Sequence, residues 1–84
     1  MKLLIVAIRD AASESYLQPQ FVQTRGLALR SFGDEVNSQR EGNLLNTHPE
    51  HFSLYEIGKF DPHTGRIDAP AEPEFITKAT DVQR

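Results

Sequence analysis

The chain opens with an unbroken apolar run, Leu3-Leu4-Ile5-Val6-Ala7-Ile8, closed by Arg9-Asp10. Its shortness, its β-branched residues and its charged boundary predict a strand buried on both faces, central in a sheet. From Asp10 to Pro19 the residues are small and polar, which predicts a loop. Apolar positions then return with a different spacing. Phe21, Val22, Ala28, Leu29, Phe32 and Val36 recur at steps of three, four and seven. At about 100° per residue they fall within an arc of roughly 120°, one face of a helix. Pro19 is tolerated in a first turn, where its missing N–H would be unpaired anyway. A helix from about Gln20 to Asn37 is therefore expected. Arg25 lies near the middle of its apolar arc, and Gly26 and Gly33 lie on the flank, where they would permit a close approach. The Asn, Ser and Gly gathered between Asn37 and Gly42 end it.

The second half reads as β-structure. His48-Pro49-Glu50-His51-Phe52 predicts one helical turn, capped by Thr47 or His48 with Pro49 just inside. Ser53 to Phe60 predicts a strand. Asp61-Pro62-His63-Thr64-Gly65 predicts a tight turn, with Pro presetting φ and Gly supplying φ > 0. Arg66-Ile67-Asp68 returns as the partner strand of a hairpin. Strict alternation puts Tyr55, Ile57 and Lys59 on one face of the long strand and Leu54, Glu56 and Phe60 on the other. Residues 69–84, entered through Pro70 and Pro73, read as a loosely attached tail. Within it Glu74 to Thr80 fits either a helical face or an edge strand. The expected fold is α+β: a single domain, 1–84, with a small, mostly antiparallel sheet packed on one long helix. The order is β-α-β-β with a short C-terminal element. One helix over three strands leaves a sheet face uncovered, which predicts a homodimer burying Val6 and Ile8, or Leu54 and Phe60.

Composition narrows the chemistry. At 84 residues the chain buries only about 60–65% of its unfolded surface, so the core is thin. It has no cysteine, which removes disulfides and thiolate metal sites and fits a reducing cytoplasm. Nine basic against twelve acidic residues give a net charge of −3, which disfavours unselective nucleic-acid binding but leaves room for a local basic face. No apolar run approaches the ~20 residues of a membrane span, and Leu3–Ile8 is too short for a signal-peptide core, so no membrane partner is expected.

No catalytic set emerges. His48 and His51 have a workable ligand spacing, with Asp61 and His63 as conceivable completions. Two histidines three apart on a helical turn are nevertheless common on surfaces, and no metal or other cofactor is expected. The serines stand in no nucleophile motif, no glycine-rich phosphate loop appears, and Asp34-Glu35 point about 100° apart. The chain is expected to bind rather than catalyse. Single-strand binders combine a basic track with rings on which bases stack. Arg9, Arg30, Tyr55, Lys59 and Arg66 are the candidates for such a face, with Arg25 nearby in sequence.

A family resemblance adds a setting. Ala7-Ile8-Arg9-Asp10, Pro19-Gln20-Phe21 and the stretch from Ala28 to Asn37 resemble the small nonstructural protein of gokushoviruses, single-stranded DNA bacteriophages of the Microviridae. The stretch from His48 to Asp61, followed by Thr64-Gly65, is similar to that family's most recognisable segment, although His51 replaces an expected acidic residue. Together the similarity covers roughly residues 4 to 80. It implies a protein made in the cytoplasm of the infected bacterial host and absent from the capsid. It further implies a role in viral DNA replication, through contact with single-stranded DNA or with a viral or host replication protein. Arg9, Arg30 and Tyr55 match positions of the family pattern, without an assigned function. From a different class, an acidic protein-interaction module that inhibits or redirects a host factor fits the same composition.

Overall fold

A computed structural model describes residues 1–84. In chain order its elements are strands β1 (Leu3–Asp10), β2 (Ser15–Tyr16) and β3 (Gln20–Val22), then helices α1 (Arg25–Val36) and α2 (Leu44–Thr47) and a 3-10 turn at Pro49–His51. Strands β4 (Phe52–Asp61), β5 (Arg66–Asp68) and β6 (Glu74–Lys78) follow, and helix α3 (Ala79–Val82) ends the chain. The fold is α+β. The sheet is antiparallel and six-stranded, built on β1 and β4 side by side along their whole length. The outer edge of β1 carries β2 and β3, and the outer edge of β4 carries β5 and β6. The apolar N-terminal run is thus central, as its composition predicts.

Helix α1 covers one face. Its Ala28, Phe32 and Val36 meet Val6, Leu54 and Phe52 from the sheet and Leu45 and Ala79 from the short helices. The spacing from Ala28 to Val36 is that of one buried helix face, as predicted, but the helix begins at Arg25, later than expected. Thr24 is its N-cap, with Oγ1 accepting from the Leu27 N–H at 3.1 Å. Phe21 and Val22 belong to β3 instead. An aromatic and a β-branched residue suit a pleated strand, and pairing with Leu4, Ile5 and Val6 satisfies their backbone. Alternation then sends Val22 into the helix-side core and Phe21 to the opposite face, although at helical spacing they had seemed to share one.

Two further differences concern the strands. The register shifts at Ile57, since Ile5 opposes Gly58 and Val6 opposes Glu56. This bulge inserts one residue and reverses the alternation beyond it. Phe60 therefore shares a face with Tyr55, and Lys59 falls on the other, the reverse of the strict period-two assignment. Gly58 sits where a Cβ would lie 3.0 Å from the Asp68 carbonyl oxygen, so the close β4–β5 approach there suits glycine. The C-terminal segment is docked. Strand β6 pairs with β4, with its own register shift, Ala79 is fully buried, and Val82 packs against the core. The Asn37 side-chain amide donates to the Val82 carbonyl at 2.9 Å, and its Oδ1 accepts from the Arg84 N–H at 2.7 Å. The ambiguous stretch from Glu74 is both elements in succession, a strand and then a helical turn.

Val6 and Leu54 are buried beneath α1 within the same chain, and Ile8 packs against that core. Of the residues named for a dimer contact, Phe60 is the one on the face that α1 leaves uncovered. The turn at Asp61–Gly65 is as expected: Gly65 has φ +73°, its N–H donates to the Asp61 carbonyl at 2.8 Å, and Asp61 Oδ1 accepts from the His63 N–H at 2.9 Å. No helix is long and apolar enough to cross a membrane.

Candidate functional site

The sheet face away from α1 can be read row by row from the strand register, because directly opposed residues project to the same side. At one end Tyr16, Arg9, Ser53 and Lys78 form a transverse row across β2, β1, β4 and β6. Ala7, Tyr55 and Phe75 form the next row. Toward the other end, Phe21 opposes Ile5, Ile5 opposes Gly58, and Leu3, Phe60 and Ile67 complete the face. The rings touch edge to face. Tyr55 stands between Tyr16, at 5.6 Å between centroids, and Phe75, at 5.7 Å. Phe21 and Phe60 pair at 5.6 Å. The Arg9 guanidinium carbon lies 6.0 Å from the Tyr16 ring centre, at the limit of a cation–π contact.

These rings bury the sheet beneath them while remaining available themselves. Ile5 and Ala7 are nearly inaccessible, but Tyr16 is 42% exposed, Phe75 50% and Phe21 52%. Edge-to-face packing, over β1 for Tyr16–Tyr55 and Phe21–Phe60 and between the paired strands β4 and β6 for Tyr55–Phe75, holds the rings without stacking them flat on one another.

Charge is partitioned between the two faces. By the same register, Asp10, Glu56, Asp61, Asp68 and Glu74, the acidic residues of the strands, all project to the helix side. The charged strand residues on the open face are Arg9 and Lys78, and both are basic. Among the strand residues, the negative charge therefore lies on the helix side and the open face is basic. The bulge at Ile57 contributes to the arrangement, since it brings Phe60 onto the open side.

Of the residues singled out from sequence, the fold brings Arg9 and Tyr55 together here. Lys59 opposes Leu4 and Asp68 on the helix side of the sheet. Arg66 opposes Asp61, on the helix side near the hairpin tip. Arg30 is exposed on α1, in the layer on the other side of the sheet, and Arg25 is held by two carboxylates in that same layer. Tyr16, Phe21, Phe75 and Lys78 were not anticipated. Tyr16 lay in an apparent loop, Phe21 fitted a helical spacing, and the strand carrying Phe75 and Lys78 was one of two readings. Had Gln20–Val22 been read as a strand pairing with β1, Phe21 would have fallen on the face of Ile5.

Other clusters are less developed. The His48 and His51 rings stack at 5.8 Å between centroids beside Asp10, and His63 lies apart in the hairpin turn. No three His, Cys, Asp or Glu side chains converge as metal ligands would. Between α1 and the sheet, a cleft of about 80 Å³ is lined by apolar core residues, with Gln18, Gln20, Ser31 and Glu35 among its polar groups. The Arg40 guanidinium is raised above its ordinary value by its hydrogen bond to Glu35 and then by that carboxylate's charge. That pair lies at the end of α1, in the layer away from the aromatic face.

Residues 3–82 match the family described as Phage ORF5 protein, so the chain belongs to that family. Neither a curated protein nor a solved structure gives a significant match.

Proposed function

We propose that this member of the Phage ORF5 family is a nonstructural accessory protein of single-stranded DNA phage replication, of the gokushovirus kind. It acts by binding single-stranded DNA on its open sheet face, without catalysis. The observation that carries this reading is the partition of the sheet: exposed rings and the cations Arg9 and Lys78 on one side, the strand carboxylates on the other. A duplex hides its base faces, whereas a single strand offers each base as a plate that an aromatic ring can receive. The bacteriophage family and the resemblance along most of the chain supply the biological setting.

The test is a fluorescence-anisotropy titration with a short single-stranded oligonucleotide at low and at physiological salt. Two cations on the face imply a slope of about −1.4 in log K against log salt, at about −0.7 per phosphate neutralised on a single strand. That is shallower than four cations would give, because Lys59, Arg66 and Arg30 do not lie on this face. Tyr55→Ala should weaken binding with little change in slope, and Arg9→Ala should reduce the slope. Absence of binding at low salt and micromolar protein would remove direct DNA contact. The same face would then be a surface for a protein partner.

A further inference from the structure

The aromatic face is not uniform, and its two ends offer a single strand different things. The end formed by Tyr16, Tyr55 and Phe75 adjoins both cations, Arg9 and Lys78. The end formed by Phe21 and Phe60 has rings but no strand cation on that face. Tyr16 opposes Arg9 and Tyr55 opposes Ala7, whereas Phe21 opposes Ile5 and Phe60 opposes Leu3, so the two ring groups are offset, centre to centre, by four residues of β1. At about 3.3 Å per residue that is roughly 13 Å. A stacked strand advances about 3.4 Å per nucleotide, so the gap corresponds to at most about four nucleotides, and to fewer when the bases are splayed apart.

We infer that the face holds two base-stacking stations on one single strand, running along β1 and β4. The first, at Tyr16, Tyr55 and Phe75, is anchored by phosphate contacts. The second, at Phe21 and Phe60, is reached only by a ligand several nucleotides long and contributes stacking alone. This rests on the proposed single-strand binding and specifies its ligand: unpaired nucleic acid of about four to six nucleotides, selected by length rather than by base sequence. Neither station presents a side-chain amide or carboxylate to read base edges, which fits a ligand recognised by its stacking faces.

The molecule carries its own reporter. Its only two tyrosines, Tyr16 and Tyr55, both lie at the first station, and it has no tryptophan. The experiment measures binding of a thymidine dinucleotide, by quenching of tyrosine fluorescence, and of an oligothymidylate of about six nucleotides, by anisotropy. The proteins compared are the parent, Phe75→Ala, Phe60→Ala and Phe21→Ala. Phe75→Ala should weaken both ligands by about tenfold. Phe60→Ala and Phe21→Ala should weaken the longer ligand by a similar factor and leave the dinucleotide unchanged. Phe21 is half-exposed on an edge strand, so its truncation should leave the fold intact even if Phe60→Ala unfolds. If the parent binds and Phe21→Ala leaves the longer ligand unaffected, the second station does not exist, although DNA binding stands. If Phe21→Ala weakens both ligands alike, the separation into stations is wrong. If the parent binds neither ligand, the station assignment and the DNA-binding reading fall together.

Discussion

Replacing Phe32 with alanine removes the largest side chain that α1 contributes to the core. Phe32 is 3% exposed and belongs to the cluster that joins Val6 and Leu54 from the sheet, Leu45 from α2 and Ala79 from the C-terminal turn. Truncating a buried phenylalanine costs about 3–5 kcal/mol, combining lost transfer free energy with the cavity left behind. The cleft beside Phe32 is lined in part by Gln18, Gln20 and Glu35, so water can relieve part of the void. That places the expectation near 3 kcal/mol, toward the lower end of the same range. A domain of this size has a total stability of roughly 4–12 kcal/mol, so the loss is a large share of it. Its unfolding entropy near the midpoint is about 0.18 kcal/mol/K, which converts 3 kcal/mol into a Tm drop of about 17 °C. Thermal and urea unfolding followed by far-ultraviolet circular dichroism would measure it. Leu27→Ala, at a position 39% exposed, serves as the control and should stay within about 0.5 kcal/mol. A Phe32→Ala protein melting within about 5 °C of the parent would refute the assignment of Phe32 to a closely packed core.

Three backbone predictions follow from local geometry. Gly65→Val should destabilise by more than about 1 kcal/mol in urea titration, because Gly65 has φ +73° and a β-branched residue is strained there. No atom lies within 4 Å of the added Cβ, so the effect isolates backbone strain from clash. Gly26→Ala should stabilise by about 0.5–1 kcal/mol, since Gly26 is helical and its Cβ would meet only Thr24 Oγ1, at 3.8 Å. Glu14 has φ +57° in the exposed turn between β1 and β2, and Glu14→Gly should raise Tm slightly by relieving that strain.

Much of this architecture is legible in the chain, and the failures have physical causes. The apolar run at Leu3–Ile8, the spacing from Ala28 to Val36 and the Asp61–Gly65 turn each carry a strong local signal. Their tertiary setting agrees with it. Phe21 and Val22 are ambiguous because a three-residue edge strand is too short to display a period, and their separation from Ala28 happens to fit a helix. The bulge at Ile57 leaves no recognisable mark in Glu56-Ile57-Gly58. Yet it decides which face Phe60 and Lys59 occupy, and therefore which cations accompany Tyr55. The candidate site suffers most, because it is assembled across β1, β2, β3, β4 and β6. Two of its residues could be named, but their neighbours Tyr16, Phe75 and Lys78 depend on pairing that no single segment specifies.

Arg25 gives the sharpest remaining test, because its position at the start of α1 opposes a local preference. A cation at the first residue of a helix meets the positive end of the dipole. What offsets this is a pair of carboxylates: Nε donates to Glu56 Oε1 at 3.2 Å, and Nη2 donates to Glu74 Oε2 at 2.9 Å. Glu56 projects from the sheet toward the helix side, with a side chain only 9% exposed, whereas the Arg25 side chain is 46% exposed. The two partners should therefore respond unequally to mutation. Arg25→Ala leaves a buried carboxylate without its cation, a loss that reaches about 3–5 kcal/mol in fully buried pairs. Water reaches the arginine side of this pair, which lowers the expectation to roughly 1–3 kcal/mol. Glu56→Leu removes the buried charge itself and leaves Arg25 its bond to Glu74, so it should cost less than about 1 kcal/mol. The double variant should then be more stable than Arg25→Ala alone, with a coupling energy of about 1–2 kcal/mol in a urea double-mutant cycle. If Glu56→Leu costs as much as Arg25→Ala, or if the two losses simply add, Glu56 is not a buried charge that depends on Arg25. The ion pair would then be an exposed contact of little consequence to the fold.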